Sequence, residues 1–340
     1  MLSDGLKYQD SRMATCEEMK QDLAPFALHD AAAKSKGGPV LLRDGDTVYT
    51  DPSDSHSLIV GDTGSMKTLR FVLPLIYSCA EADESMVIVD PKGELARKSE
   101  SFLSAKGYKT VIINMRDPQR SPDTWNPMGV IERGYKSGEE GQQKAVLQLN
   151  DMLNDIFFRR VDTKDPYWNE SAGQLALGIC LLLLALGEKL NMKNLLKWRY
   201  EKLADGTLDK CFRNLPTDGE IYQNLAGYLG MTAENTKSCI RSTFDQLVRV
   251  FKSAPALTEM LNDTSFDIER IGKAKAAVFV VIPDEKTTFH FLATLFISQC
   301  YTTLLETAER HGGSLPRRTN IILEEFCNLP ALGDIVPMIT

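Results

Sequence analysis

The chain has 340 residues, 43% apolar and 25% charged, with a formal net charge of −7. This is a soluble globular composition, long enough for about two domains and for a core that needs no disulfide or structural metal. The acidic balance excludes a surface coated in nucleic acid but leaves room for a local basic channel. In chain order, residues 1–38 read as a polar arm with a short helix around Glu17 to Leu23. No secretory leader is expected, since Met1 to Asp10 is polar. Val40–Leu42 and Thr47–Tyr49 flank Arg43-Asp44-Gly45-Asp46, a hairpin signal. His56-Ser57-Leu58-Ile59-Val60 reads as a buried strand, and a helix with Pro74 inside it follows from Leu69, with a kink or break expected there.

Ser85–Asp90 is a second strand, 94–106 a helix and Thr110–Ile113 a third strand, so strands and helices alternate as in a doubly wound parallel sheet. Beyond Asn126-Pro127 the pattern changes. Helical periodicity dominates 142–158, 167–187, 192–202, 207–213, 219–228 and 232–251. Leu175 to Gly187 is apolar over about a dozen residues, short of the roughly 20 of a membrane span, so a buried helix is expected. The sheet resumes with Ala276–Ile282, a long helix from Thr288 to Arg310 and a strand at Asn320–Leu323. The expected division is an arm and hairpin over 1–55, an α/β nucleotide-binding domain over 56–138 and 263–340, and an all-α insertion over 139–262.

Chemistry concentrates in Gly61-Asp62-Thr63-Gly64-Ser65-Met66-Lys67-Thr68, between strand and helix patterns. This is the layout of a phosphate-binding loop, in which backbone amides and a helix N-terminus face an anion. Lys67 is expected to reach the β- and γ-phosphates of ATP and Thr68 to ligate Mg²⁺. Met66 stands where the pattern has glycine. Downstream, Glu324 and Glu325 end a strand. Glu324 is expected to hold the metal shell and Glu325 to polarise the attacking water; the bland alternative is a strand end with solvated acids.

Other features carry paired readings. Asp90 and Lys92 sit near phosphates or a subunit seam, or merely shape a strand-to-helix turn. Asp284 or Thr287 caps the following helix. Lys237, Arg241, Arg249 and Lys252 recur at helical spacing and could track a phosphate backbone, but Asp245 lies among them and a solvated face is preferred. Tyr167 and Trp168 pack at a helix start rather than stack on a base. Seven scattered cysteines without a C-x-x-C pair indicate a reduced, cytosolic compartment, and four spaced histidines argue against a metal cluster.

Taken in order, several blocks resemble the type IV secretion coupling proteins, the TraG-like conjugative DNA-transfer ATPases. They are Asp10–Glu18, the loop at 61–68, Val89-Asp90-Pro91-Lys92-Gly93-Glu94-Leu95, Trp125-Asn126-Pro127-Met128 and Tyr167-Trp168. Ile282-Pro283-Asp284-Glu285-Lys286, Leu323-Glu324-Glu325-Phe326 and Asn328-Leu329-Pro330 complete the set. The resemblance implies a RecA-like ATPase domain carrying an all-α domain, with ATP and Mg²⁺ as cofactors. It implies a homo-hexamer at the cytoplasmic face of the bacterial cell membrane, with relaxase-bound single-stranded DNA and a secretion channel as partners. Relatives continue past the acidic strand and carry N-terminal membrane helices. The expectation is therefore a truncated copy, and an alternative function is a cargo-binding adaptor deficient in hydrolysis. A related ring translocase for chromosome or phage DNA is a further possibility, less favoured because of the Asp-Pro-Lys-Gly-Glu block and the size of the insertion.

Overall fold

The computed structural model describes residues 14–27, 36–62, 64–158, 166–283, 289–326 and 329. Thr63, residues 10–13, Asp284 to Thr288, Asn328 and Pro330 were assigned places in the motifs above and lie outside the described residues.

The arm opens with helix α1 (Cys16–Asp22), closed at its N-terminus by a capping box. Thr15 Oγ1 accepts from the Glu18 amide, and the Glu18 carboxylate accepts from the Thr15 amide. Strands β1 (Ala24–Ala27), β2 (Val40–Asp44) and β3 (Thr47–Thr50) form a small antiparallel sheet in the order β1-β3-β2. The hairpin turns at Gly45, whose φ of 59° suits the Asp-Gly signal. Strand β1 escaped the sequence reading because Pro25 and two alanines carry no alternating pattern.

The main sheet has four parallel strands in the order β5-β6-β4-β7, namely β4 (Ser85–Val89), β5 (Lys109–Asn114), β6 (Ala276–Val281) and β7 (Thr319–Leu323). Every residue of β4 and β6 is buried, which explains their unbroken apolar runs, since both faces are covered. Side chains alternate between two cores. Met86, Ile88 and Phe279 face α2 (Leu73–Glu81) and α3 (Glu94–Ala105). Val87, Val89, Val278 and Val280 belong to the larger core with α13 (His290–Arg310).

That larger core runs on into helices α4 (Gly129–Tyr135), α5 (Glu139–Phe158), α6 (Tyr167–Ala185), α7 (Met192–Lys197), α8 (Thr207–Arg213) and α9 (Glu220–Leu229). Helices α10 (Glu234–Leu247), α11 (Arg249–Ser253) and α12 (Pro255–Met260) complete it. Helix α6 is long and apolar enough to cross a bilayer, but it is buried on nearly all sides and packs on α5, α9 and α10. Gly178 permits the closest of these approaches, because a Cβ there would lie 2.6 Å from Leu225 Cδ2. The Trp-Asn-Pro-Met block joins sheet to helices. Trp125 Nε1 donates to Gln299 on α13, its ring meets Phe296 edge-on at 5.1 Å, and Asn126 Nδ2 donates to the Leu190 carbonyl.

One expectation needs correction. Residues 56–60 are not a strand. They pair with nothing in the sheet and are exposed, Leu58 at 80% and Val60 at 87%. Their apolar run satisfies the pattern of a buried strand, but β7 pairs only with β4 among the described residues, so no described strand pairs with them. At Pro74 the helix falls into two pieces, as expected. A π-helical turn at Thr68–Val72 precedes it, with the Leu73 amide donating to the Thr68 carbonyl. The wider turn accommodates the ring and the missing N–H at the head of α2, a recognised way to absorb proline.

Candidate nucleotide site

The loop from Gly61 to Thr68 is built from small residues because its backbone turns tightly. The Ser65 amide donates to the Asp62 carbonyl at 3.1 Å, and Gly64 has φ 84°. A Cβ on Gly61 would come within 2.7 Å of Ser65 Oγ. Met66 adopts φ 61°, the left-handed region that its pattern partner glycine enters freely. Its unbranched side chain points to solvent, 53% exposed. Lys67 folds back over the loop, and its ammonium donates to the carbonyls of Gly61 at 2.5 Å and Asp62 at 3.4 Å.

The two halves of the expected site meet directly. Thr68 Oγ1 donates to Glu324 Oε1, across 256 residues of sequence. Glu324 follows β7, and the register Val89↔Leu323 sets Asp90 beside it at the carboxyl edge of the sheet. That edge is where open α/β sheets bind ligands. Burial pushes the Glu324 carboxyl above its usual 4.5, and the negative charges of Asp90, Glu94 and Glu325 add to the rise, against the Thr68 bond. Its other oxygen, Oε2, is buried without a hydrogen-bond partner. An orphaned carboxylate oxygen beside a threonine hydroxyl is a donor set suited to a hard divalent cation, so the residues fit Mg²⁺.

Glu325 is not hydrogen-bonded to the loop. It is exposed, adopts φ 52° and makes no hydrogen bond among the described residues. Asp90 is engaged within its own turn. It is fully buried and accepts from the amides of Glu94 at 3.1 Å and Ala96 at 2.9 Å, so it caps α3. Gly93, at φ 64°, completes the turn, and the Lys92 side chain is exposed. The basic row on α10 and α11 is also not a uniform track. Arg241 Nη1 donates to the Tyr228 hydroxyl, Lys252 lies 4.5 Å over the Tyr200 ring, and Asp245 is paired to the buried Arg199 at 2.8 Å. Tyr167 and Trp168 meet each other edge-on.

A proton and a divalent cation would compete for Glu324. Because its folded-state carboxyl titrates above 4.5, Mg²⁺ affinity should fall on acidification in a window that opens above that value. Without metal the sign reverses. A raised carboxyl favours the folded state below its unfolded pKa, and that contribution is lost as pH rises through the folded one. Metal titrations and thermal melts across pH, wild type beside Glu324→Gln, check both: the glutamine variant should lose both steps.

Sequence reasoning missed Arg318 and Glu84. Arg317-Arg318 is too short a run to signal anything, yet Arg318 binds three separate segments. Its Nη1 donates to Gly37 O at 2.7 Å and to Glu84, its Nη2 to Ser53 O at 2.8 Å, and its Nε lies 3.1 Å from Asp54.

A family model described as type IV secretory system conjugative DNA transfer matches residues 9–340. Among solved structures, the unbound bacterial conjugative coupling protein TrwBdeltaN70 superposes with a TM-score of 0.52 at 18% identity, covering 82% of this chain and 57% of that one. Plasmid coupling protein TrwB in complex with the non-hydrolysable ATP analogue ADPNP gives 0.51 at 16%, covering 81% and 58%. The complex with the GTP analogue GDPNP gives 0.51 at 17%, covering 82% and 58%. These likenesses show a shared RecA-like α/β fold, and the chain spans under three-fifths of the length of each of these structures. A segment of 137 residues is 26% identical to phosphoserine aminotransferase of Buchnera aphidicola subsp. Acyrthosiphon pisum (strain Tuc7), over 37% of each chain, which is too little to assign a family. The match along nearly the full length, on the fold just described, shows that the chain belongs to the type IV secretory system conjugative DNA-transfer family.

Proposed function

We propose that this chain is the nucleotide-binding part of a coupling ATPase that delivers relaxase-bound single-stranded DNA to a type IV secretion channel. The observation that carries the reading is the Thr68–Glu324 contact, which joins the phosphate loop to the acidic strand end. Backbone amides of Gly61, Asp62, Thr63, Gly64, Ser65 and Met66 would cradle the phosphates of ATP, and Lys67 would exchange its two carbonyl partners for phosphate oxygens. Thr68 and Glu324 would hold Mg²⁺, which supplies charge neutralisation at the transferring phosphoryl group. Glu325, one residue on, is the candidate to orient water. Residues 56–138 with 263–340 form the nucleotide domain in this reading, 1–55 the arm, and 139–262 the helical domain. Assembly as a homo-hexamer on the cytoplasmic face of the cell membrane belongs to the same reading.

One observation favours the adaptor alternative, in which the helical domain recruits cargo without turnover. Met66 and Glu325, one on each side of the site, both occupy left-handed backbone. For Met66 that conformation costs about 1–2 kcal/mol. The deciding experiment follows phosphate release with Mg-ATP and single-stranded DNA, wild type beside Met66→Gly. DNA-stimulated release by the wild type supports the motor. Glycine should raise stability by up to about 1–2 kcal/mol, read as a higher melting temperature, because the strain is already present without nucleotide. Release by neither protein would leave the adaptor.

A further inference from the structure

The two ends of β7 each hold one end of the same segment. Arg318, just before the strand, grips Ser53 and Asp54; Glu324, just after it, binds Thr68. Between these anchors, residues 53–62 and 64–66 are exposed, so packing does not fix their course. The strand therefore sets the two anchors roughly 20 Å apart, at about 3.3 Å per residue, and the phosphate-loop segment runs between them.

We propose that Arg318 is a positioning residue for the phosphate loop. By fixing Ser53 and Asp54 at the start of β7, it sets where Gly61 and Asp62 close over Lys67. The guanidinium is itself fixed. It lies against Glu84, which is 5% exposed and also accepts from the Gly37 amide at 3.0 Å and from Asn320 Nδ2 at 2.8 Å. Serving Gly37 O, Ser53 O, Glu84 and Asp54 at once needs the planar fork of arginine; the single ammonium of lysine cannot span them. Holding the loop's first half in its bound course lowers the ordering cost when phosphates arrive.

The inference rests on the nucleotide-site reading for its consequence, and the test separates the two. Arg318→Lys keeps a cation beside Glu84. Asp54→Ala removes a carboxylate that is 73% exposed and leaves the core intact. Spin labels at Leu58→Cys and Leu305→Cys, both exposed positions, with Cys16 and Cys239 replaced by serine, report the course of the segment. A narrow distance distribution is expected in the otherwise unaltered chain and a broader one in each variant. A fluorescent ATP analogue with Mg²⁺ is then titrated at a temperature where all the proteins are folded. Arg318→Lys should raise Kd by about fivefold or more and Asp54→Ala by about twofold, with Mg²⁺ dependence retained. An unchanged distance distribution overturns the proposal, as does an unchanged Kd alongside a lowered melting temperature, which is all that a structural role predicts. If the unaltered chain binds no nucleotide, the functional reading fails, and the spin-label distances still decide the clamp.

Discussion

Lys67→Ala should weaken nucleotide binding by about 30-fold to 1,000-fold, the equivalent of roughly 2–4 kcal/mol, while leaving the folded state nearly unchanged. The magnitude follows from what the ammonium touches. It is a partly exposed cation bound to two carbonyls of its own loop, at 2.5 and 3.4 Å, so the fold loses little when it goes. The bound state loses a charge-assisted contact to the phosphates of highest charge. Titration of a fluorescent ATP analogue with Mg²⁺, together with a thermal melt of each protein, separates the two effects. Superimposable binding curves for wild type and variant would remove the phosphate-loop assignment and the proposed function with it.

For stability the largest single effect is expected at Glu84. Glu84→Ala leaves the Gly37 amide, the Asn320 amide and one edge of Arg318 without their shared acceptor inside the protein. Removing one partner of a buried ion pair costs roughly 3–5 kcal/mol. Arg318 keeps its bonds to Ser53 and Gly37 and lies near the exposed Asp54, which places the expected loss toward the lower end. Glu84→Gln retains an acceptor of the same shape and should lose less. Urea unfolding checks this: the midpoint should shift with the slope unchanged. A shift below that of an ordinary surface substitution would show that the arm is held by other contacts.

The legibility of the chain followed the range of the interactions involved. Strands β4 and β6 and helices α5 and α6 were readable because burial on one or both faces writes itself into local apolar periodicity. The loop at 61–68 was readable because anion cradles need small residues at fixed spacing. Residues 56–60 misled for the converse reason. An apolar run declares that a stretch can be a strand, while pairing depends on a neighbour hundreds of residues away. Asp90 illustrates a second limit. Its position after β4 was evident, but only the hydrogen bonds to Glu94 and Ala96 show that its carboxylate caps α3. The Thr68–Glu324 contact and the Arg318 clamp join residues more than 200 positions apart, and no local pattern encodes such pairings.

The exposed apolar run at Leu58, Ile59 and Val60 has a bearing on how this protein behaves at the bench. Leu58, Ile59 and Val60 stand in water, and among the described residues β7 is paired on one side only; an exposed apolar run and a sheet edge are each templates for sticking chain to chain. Concentrated samples will cluster through this side, and turbidity will rise with protein concentration more steeply than the charge of −7 would lead one to expect. A lysine introduced at position 59 is the natural remedy for anyone preparing crystals or spectra.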